Sequence, residues 1–288
     1  MFSNAYRMLG SVAEAEDIVQ DAFLRMHQSI RGGTEIDSPE AFATTVTTRL
    51  AIDALRSARR RREQYIGPWL PEPLVADDTD PARLIEMDET VSIAFLVVLE
   101  RLSPVERAVF LPREVFAYDY ADIAGVVDKT AANCRQILTR ARHRIDQQRP
   151  RFDPSPEERT RLAVRFFDAV REGDVAGLEH LLAQDVVFYG DGGGKAPAIR
   201  HPMYGSLQVA RFLVGLGCQG TRIGGGLDQV QANGHPAARF LSATGEVLAV
   251  LTLDIVDGHI AAVRNQINPD KLAHLGIVGD LTAVIDGG

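Results

Sequence analysis

Apolar residues recur at spacings of three and four through the first half of the chain, which predicts helices. Ser11 to Glu14 is a capping box, and Ala15, Ile18, Val19, Ala22, Phe23, Met26 and Ile30 follow as one apolar stripe opposite an acidic face of Glu14, Asp17, Gln20 and Asp21. Ser38-Pro39-Glu40 starts a second helix, with proline where its missing N–H costs nothing. It turns Phe42, Val46 and Leu50 inward, displays Thr44, Thr45, Thr48, Arg49, Asp53 and Arg56, and ends in the arginine run 59–62. Threonine is a poor helix former, so packing must hold this helix. Ser103 to Glu106 caps a third, which Pro112 interrupts and should kink near Ala108.

Residues 118–144 then read as a helix-turn-helix. Asp119 and Asp122 open a short helix with Ala121, Ile123, Ala124 and Val127 on its apolar side, and Asp128-Lys129 breaks it. Thr130 caps a second helix whose buried stripe is Cys134, Ile137, Leu138, Ala141 and Ile145. Its other face carries Asn133, Arg135, Gln136, Thr139, Arg140, Arg142 and His143, groups suited to base edges and phosphates. After residues 150–156 the period changes. An amphipathic helix with Leu162, Phe166, Phe167 and Val170 and a short helix ending near Ala183 precede strand-like segments at 186–190, 198–203, 222–232, 236–243, 246–256 and 259–267, with a helix near 205–216. The turns Asn233-Gly234, Thr244-Gly245 and Asp257-Gly258 imply an antiparallel meander, and the alternation of Val247, Ala249, Leu251, Leu253 and Ile255 needs a helical cover.

Composition narrows the function classes. Lys and Arg number 31 against 39 Asp and Glu, a net charge of −8, so contact with nucleic acid must come from local arginine clusters. Cys134 and Cys218 form neither a zinc pattern nor a disulfide framework, so no metal or cofactor is expected. With no apolar run of membrane-spanning length and no signal-peptide layout, a cytoplasmic protein without membrane contact is the expectation. Pro68, Pro71, Pro73 and the acidic stretch 77–81 mark a linker, in which Trp69 is out of place unless it docks.

The ordered set resembles an extracytoplasmic-function (group 4) sigma factor. AYRMLGSVAEAEDIVQDAFLRM with TTRLAIDALRSARRRRE is similar to region 2, and LSPVERAVFLPREVFAYDYADIAGVVDKTAANCRQILTRARHRI to region 4. WLPEPL (69–74), DGGGK (191–195) and NPDKL (268–272) match the subgroup carrying a SnoaL-like C-terminal extension. The resemblance implies two all-α sigma domains, the second holding the helix-turn-helix, and an α+β SnoaL-like domain with a curved antiparallel sheet. The expected bounds are 1–66 for region 2, 67–82 for the linker, 83–149 for region 4, 155–276 for the SnoaL-like domain and 277–288 for a tail. It also implies partners: bacterial core RNA polymerase at Asp17, Gln20 and Asp21; the promoter −10 element at Thr45, Thr48, Arg49, Asp53, Arg56, Arg59 and Arg60; and the −35 element at Thr130, Asn133, Arg135, Gln136 and Arg140. An unidentified small molecule in the C-terminal domain is a further expected partner. Relatives usually begin with another helix, so region 2 looks shortened. A regulatory contact is expected among Trp69, Leu70, Pro71, Glu72, Pro73, Asp191, Lys195, Asn268, Pro269, Asp270, Lys271 and Leu272, with the docked linker restraining the sigma regions.

Two other readings compete. A one-component ligand-sensing regulator also carries a helix-turn-helix, but it has no use for the acidic-faced and Thr/Arg-rich helices upstream. Related α+β folds host cyclase and isomerase chemistry, for which Tyr189, Asp191, His201, Tyr204, His235, Asp254 and His259 are the candidates. Fold likeness alone is poor support for catalysis, and no enzyme is expected. DGGGK lacks the lysine–hydroxyl pair and following helix of a phosphate loop.

Overall fold

The computed structural model describes residues 1–33, 35–62, 64–75, 92–146 and 154–286. The acidic linker stretch 77–81 and Arg149 lie outside them. The chain divides into two compact units, residues 1–64 with 94–149 and residues 65–93 with 150–288, so the linker groups with the C-terminal part.

Unit 1 is helical: α1 (Phe2–Leu9), α2 (Val12–Arg31), α3 (Pro39–Arg62), α4 (Ile93–Leu99), α5 (Pro104–Glu114), α6 (Tyr120–Val127) and α7 (Ala131–Asp146). α1 is an element that the periodicity missed. Its Ala5, Tyr6, Met8 and Leu9 are buried, and Gly10 in the left-handed region ends it so that Ser11 can cap α2 through the Glu14 N–H. Only the first half of the α2 stripe packs: Ile18 and Ala22 are buried, whereas Phe23, Leu24 and Ile30 are exposed. The inward face of α3 is Ala43, Thr47, Thr48, Ala51, Ile52 and Leu55, one position off the expected set. α5 has the full capping box of Ser103 and Glu106 and runs on through Pro112 to end at Glu114, so proline stands in its last turn and does not interrupt it.

Among the described residues Arg107 is the largest fully buried side chain, and burial lowers its pKa to about 9, leaving it charged at neutral pH. An unpaired charge there would be costly. It donates to the carbonyl of Met8 in α1, to that of Leu99 at 2.6 Å and to Glu100 Oε1 at 3.0 Å, which ties α1 to α4 and α5.

Unit 2 holds α8 (Pro156–Glu172), α9 (Val175–Leu181), α10 (Ser206–Arg222), α11 (Pro269–Leu272), α12 (Leu281–Asp286) and an open six-stranded sheet. Its strands are β1 (Leu182–Asp191), β2 (Met203–Tyr204), β3 (Gly226–Ala232), β4 (His235–Leu241), β5 (Val247–Val256) and β6 (His259–Gln266), in the order β2-β1-β6-β5-β4-β3. β3 to β6 form the expected antiparallel meander, while β1 joins β6 in parallel. The segment at 198–203 contributes only the two-residue β2. One face packs Leu251, Leu253, Ile255, Val263 and Phe188 beneath α8, α9 and α10, with Phe166, Phe167, Leu178 and Leu213. Val250, Ala237 and Ala232, of opposite parity, point to the other face and pack with Leu272, and with Val75 from the linker. Both faces of β5 are therefore covered, so its burial does not alternate.

A buried carboxylate that holds the linker

β1 ends at Asp191, whose side chain is 0% exposed. A carboxylate so far from water needs donors. Tyr65 Oη donates to Oδ1; the Leu70 N–H at 2.7 Å, Lys271 Nζ at 2.7 Å and Gln266 Nε2 at 3.3 Å donate to Oδ2. Lys271, itself buried at the start of α11, also donates to the Leu70 carbonyl at 2.6 Å and lies 4.1 Å from the centroid of the Trp69 ring and 4.8 Å from that of Tyr65. Asn268 caps α11 through the Asp270 N–H and donates from Nδ2 to Tyr65 Oη at 2.8 Å. One charge pair thus gathers three separate stretches of chain: linker, end of β1, and start of α11. Burial, then the hydrogen bond to Asp191, raises the Tyr65 pKa and keeps its proton in place.

The glycines of DGGGK make room for this contact. Gly193 (φ 58°) and Gly194 (φ 74°) are left-handed. A Cβ on Gly193 would fall 2.2 Å from Asn268 Nδ2 and 2.9 Å from Tyr65 Oη, and one on Gly194 2.8 Å from Ile66 Cδ1. Lys195 and Asp270 form an exposed ion pair at 2.5 Å. Further along, the Asn233-Gly234 turn does a second job: Asn233, fully buried, accepts the Leu74 N–H at 2.9 Å on Oδ1 and donates its own N–H to the Leu74 carbonyl at 2.8 Å. His274 Nε2 lies 2.8 Å from the Pro73 carbonyl, and Val75 bridges to Ala232 at the edge of the sheet. Leu70, Pro71, Glu72, Pro73 and Leu74 are buried and Trp69 half-buried.

All twelve residues expected at this contact lie in unit 2, with Pro269 half-buried and Leu272 fully buried. Sequence reasoning missed Tyr65, Gln266, Asn233 and His274. Asn233 carried a turn signal that hid its second role; Tyr65, Gln266 and His274 carried no signal. The arrangement leaves little for acid–base chemistry, since Asp191 is committed to its donors, Asp254 pairs with Arg264, and Tyr204 is exposed. Among the described residues no group of His, Cys, Asp and Glu could hold a metal ion, and no helix is long and apolar enough to cross a membrane.

In unit 1, Asp17, Gln20 and Asp21 are exposed on α2 beside Phe23 and Leu24. On α3, Thr48 is a correction: it is buried and accepts from Asn4 Nδ2 at 2.9 Å, so it is not displayed. Thr45 is half-buried, and Asp53 and Arg56 form an exposed pair at 3.1 Å. Exposed Arg49 donates to the Gly125 carbonyl at 2.7 Å and to the Val126 carbonyl at 3.4 Å. The side chains of Arg59 and Arg60 lie outside the described residues. On α7 the buried stripe is as expected, Thr130 accepts the Asn133 N–H at 3.2 Å, and Arg135, Gln136 and Arg140 are exposed with Asn133 half-buried. Arg135 lies 5.0 Å from the Tyr120 ring centroid. Burial raises the Cys134 thiol pKa.

Comparison with known proteins agrees with this division. The model of Sigma-70 region 2 matches residues 1–61 and that of Sigma-70 region 4 residues 92–145. The ECF RNA polymerase sigma factor SigJ of Mycobacterium tuberculosis is 38% identical over 282 residues, 94% of this chain and 89% of that protein. SigG of the same species is 28% identical, over 89% of this chain and 74% of that protein. The crystal structure of Mycobacterium tuberculosis SigJ superimposes with a TM-score of 0.77 at 34% identity, covering 95% of this chain and 94% of that one, so the sheet domain is shared as well. Sigma factors are transcription regulators and not enzymes. The chain belongs to the extracytoplasmic-function sigma factors of RNA polymerase.

Proposed function

We propose that this sigma factor directs promoter-specific initiation under the control of its own docked linker. The observation that carries the reading is Asp191, 0% exposed, which takes two of its four donors, Tyr65 Oη and the Leu70 N–H, from the linker and the other two from Lys271 and Gln266. A linker held in this way restricts what the helices on either side of it can do. Release or remodelling of the linker on polymerase binding is the regulated step.

The exposed acidic and apolar patch of Asp17, Gln20, Asp21, Phe23 and Leu24 meets core polymerase. Arg49, Asp53 and Arg56, with Arg59, Arg60 and Thr45, meet the −10 element; Thr48 serves by packing. Arg135, Gln136 and Arg140, with Asn133 and Thr130, read the −35 element from α7. An open cleft of about 420 Å³ in unit 2, lined by Arg161, Arg165 and the Asp257-Gly258 turn, is one berth a small-molecule signal could use.

In vitro transcription with core polymerase on a promoter panel tests the assignment, with Asp17→Lys/Asp21→Lys and Arg135→Ala/Arg140→Ala as probes. Lost co-purification with polymerase is expected for the first. For the second, each lost phosphate contact lowers the salt slope by about 0.9, and each lost base contact costs ~1–3 kcal/mol at one position. Tight duplex binding by the protein alone, with no polymerase-dependent transcription, supports the one-component reading instead.

A further inference from the structure

We infer that Arg49 is a latch that holds the helix-turn-helix against the −10-reading helix of the free protein. The ground is the end of α6. Asp128, left-handed at φ 54° and ψ 54°, stops that helix, and the N–H groups of both Asp128 and Lys129 go to the Ala124 carbonyl. The next two carbonyls, of Gly125 and Val126, are among those a helix leaves without a partner at its C-terminus, where its dipole also favours a cation. Arg49 reaches across from α3 and donates Nη2 to the first at 2.7 Å and Nε to the second at 3.4 Å. A second tie lies five residues earlier on α3, where the Tyr118 hydroxyl donates to Thr44 Oγ1 at 3.3 Å.

The latch rests on the reading that α3 and α7 face the two promoter elements, and it gives that reading a required step. From Gly125 to Arg140 the chain takes four steps through the turn at up to ~3.5 Å and eleven helical steps at ~1.5 Å, so every −35 reader stands within roughly 40 Å of Arg49. The elements, about 25 base pairs apart at ~3.4 Å each, are separated by about 85 Å of duplex. The latched form cannot span them. The guanidinium that closes it is one the reading assigns to DNA, so a promoter phosphate competes directly with the helix carbonyls for the same N–H groups.

Pulsed electron paramagnetic resonance on the full chain tests this without polymerase or DNA. Spin labels go on Glu40→Cys in α3 and Thr139→Cys in α7, both exposed, in a Cys218→Ser background; Cys134 is buried and stays unlabelled. Arg49→Ala should raise the open-to-closed ratio about tenfold, and Arg49→Lys by less, because one charge without the fork geometry remains. If Arg49→Ala does not fold by circular dichroism, Arg49→Lys and Tyr118→Phe decide. Distance distributions unchanged from the parent in the folded variants overturn the latch. Failure of the parent to support transcription would remove the promoter reading and leave this distance result standing.

Discussion

Asp191 and Arg49 each hold a distant piece of chain by charge, yet they sit at opposite ends of a scale set by water. Asp191 is 0% exposed and shares its buried surroundings with its counter-ion Lys271, whereas Arg49 is exposed and grips neutral carbonyls. Breaking one side of a buried pair leaves an uncompensated charge and costs about 3–5 kcal/mol; an exposed charge-assisted contact is worth about 1 kcal/mol. The linker contact therefore behaves as an anchor, which only a partner with large binding energy displaces. The Arg49 contact behaves as a catch that opens and closes thermally.

The largest effect should come from Asp191→Ala, which strands the Lys271 ammonium in the interior. Unit 2 should lose about 3–5 kcal/mol in urea unfolding. Asp191→Leu with Lys271→Met should lose clearly less than either single change, since no lone charge remains. Additive losses would show that the two side chains act independently.

Next is Gly193→Ala, which forces a left-handed residue with a Cβ into Asn268 and Tyr65 and should cost about 1–3 kcal/mol. Gly234→Ala, equally left-handed but with open space around its Cβ, should cost less. Equal costs would mean that strain alone, and not the fit to the linker, explains the DGGGK glycines.

Alkali should separate the two contacts further. Tyr65 ionises at a higher pH in the folded than in the unfolded chain, because of burial first and Asp191 second. The unfolded chain then gives up that proton first, so this residue's contribution is flat below about pH 10 and stability falls as pH rises above it. Tyr65→Phe should remove that part of the alkaline loss in unit 2. A profile unchanged by the substitution would place the phenol outside the buried network.

The helix-turn-helix and the meander were legible because their signals are local. Cys134, Ile137, Leu138, Ala141 and Ile145 are a helical stripe whatever else the chain does, and the Gly-containing turns fix where β3 to β6 reverse. What escaped depends on partners distant in sequence. Phe23 and Ile30 continue a perfect stripe, yet among the described residues no element packs on the second half of α2 closely enough to bury them. Thr48 was read as displayed because it is polar, but the amide of Asn4 makes its burial affordable. Within the linker site, the three short strings were visible, while Tyr65 and Gln266 join through contacts 126 and 75 residues away.

The smallest effect belongs to Tyr118→Phe, which removes one 3.3 Å hydrogen bond and should cost about 0.5–1 kcal/mol. A loss of several kcal/mol would mean that the α3–α6 contact is an anchor too, and the contrast with Asp191 would fail.

Trp69, the single tryptophan, reports the central claim directly. Its half-buried ring packs on the Lys271 ammonium, so its emission and its accessibility to acrylamide follow the docked linker. In the full chain under native conditions, Asp191→Asn and Lys271→Ala should each shift the emission toward that of a solvated indole and raise the quenching constant, and added core polymerase should do the same to the parent. Emission and quenching identical in parent and both variants, with the variants folded by circular dichroism, would contradict a linker held by this charge pair.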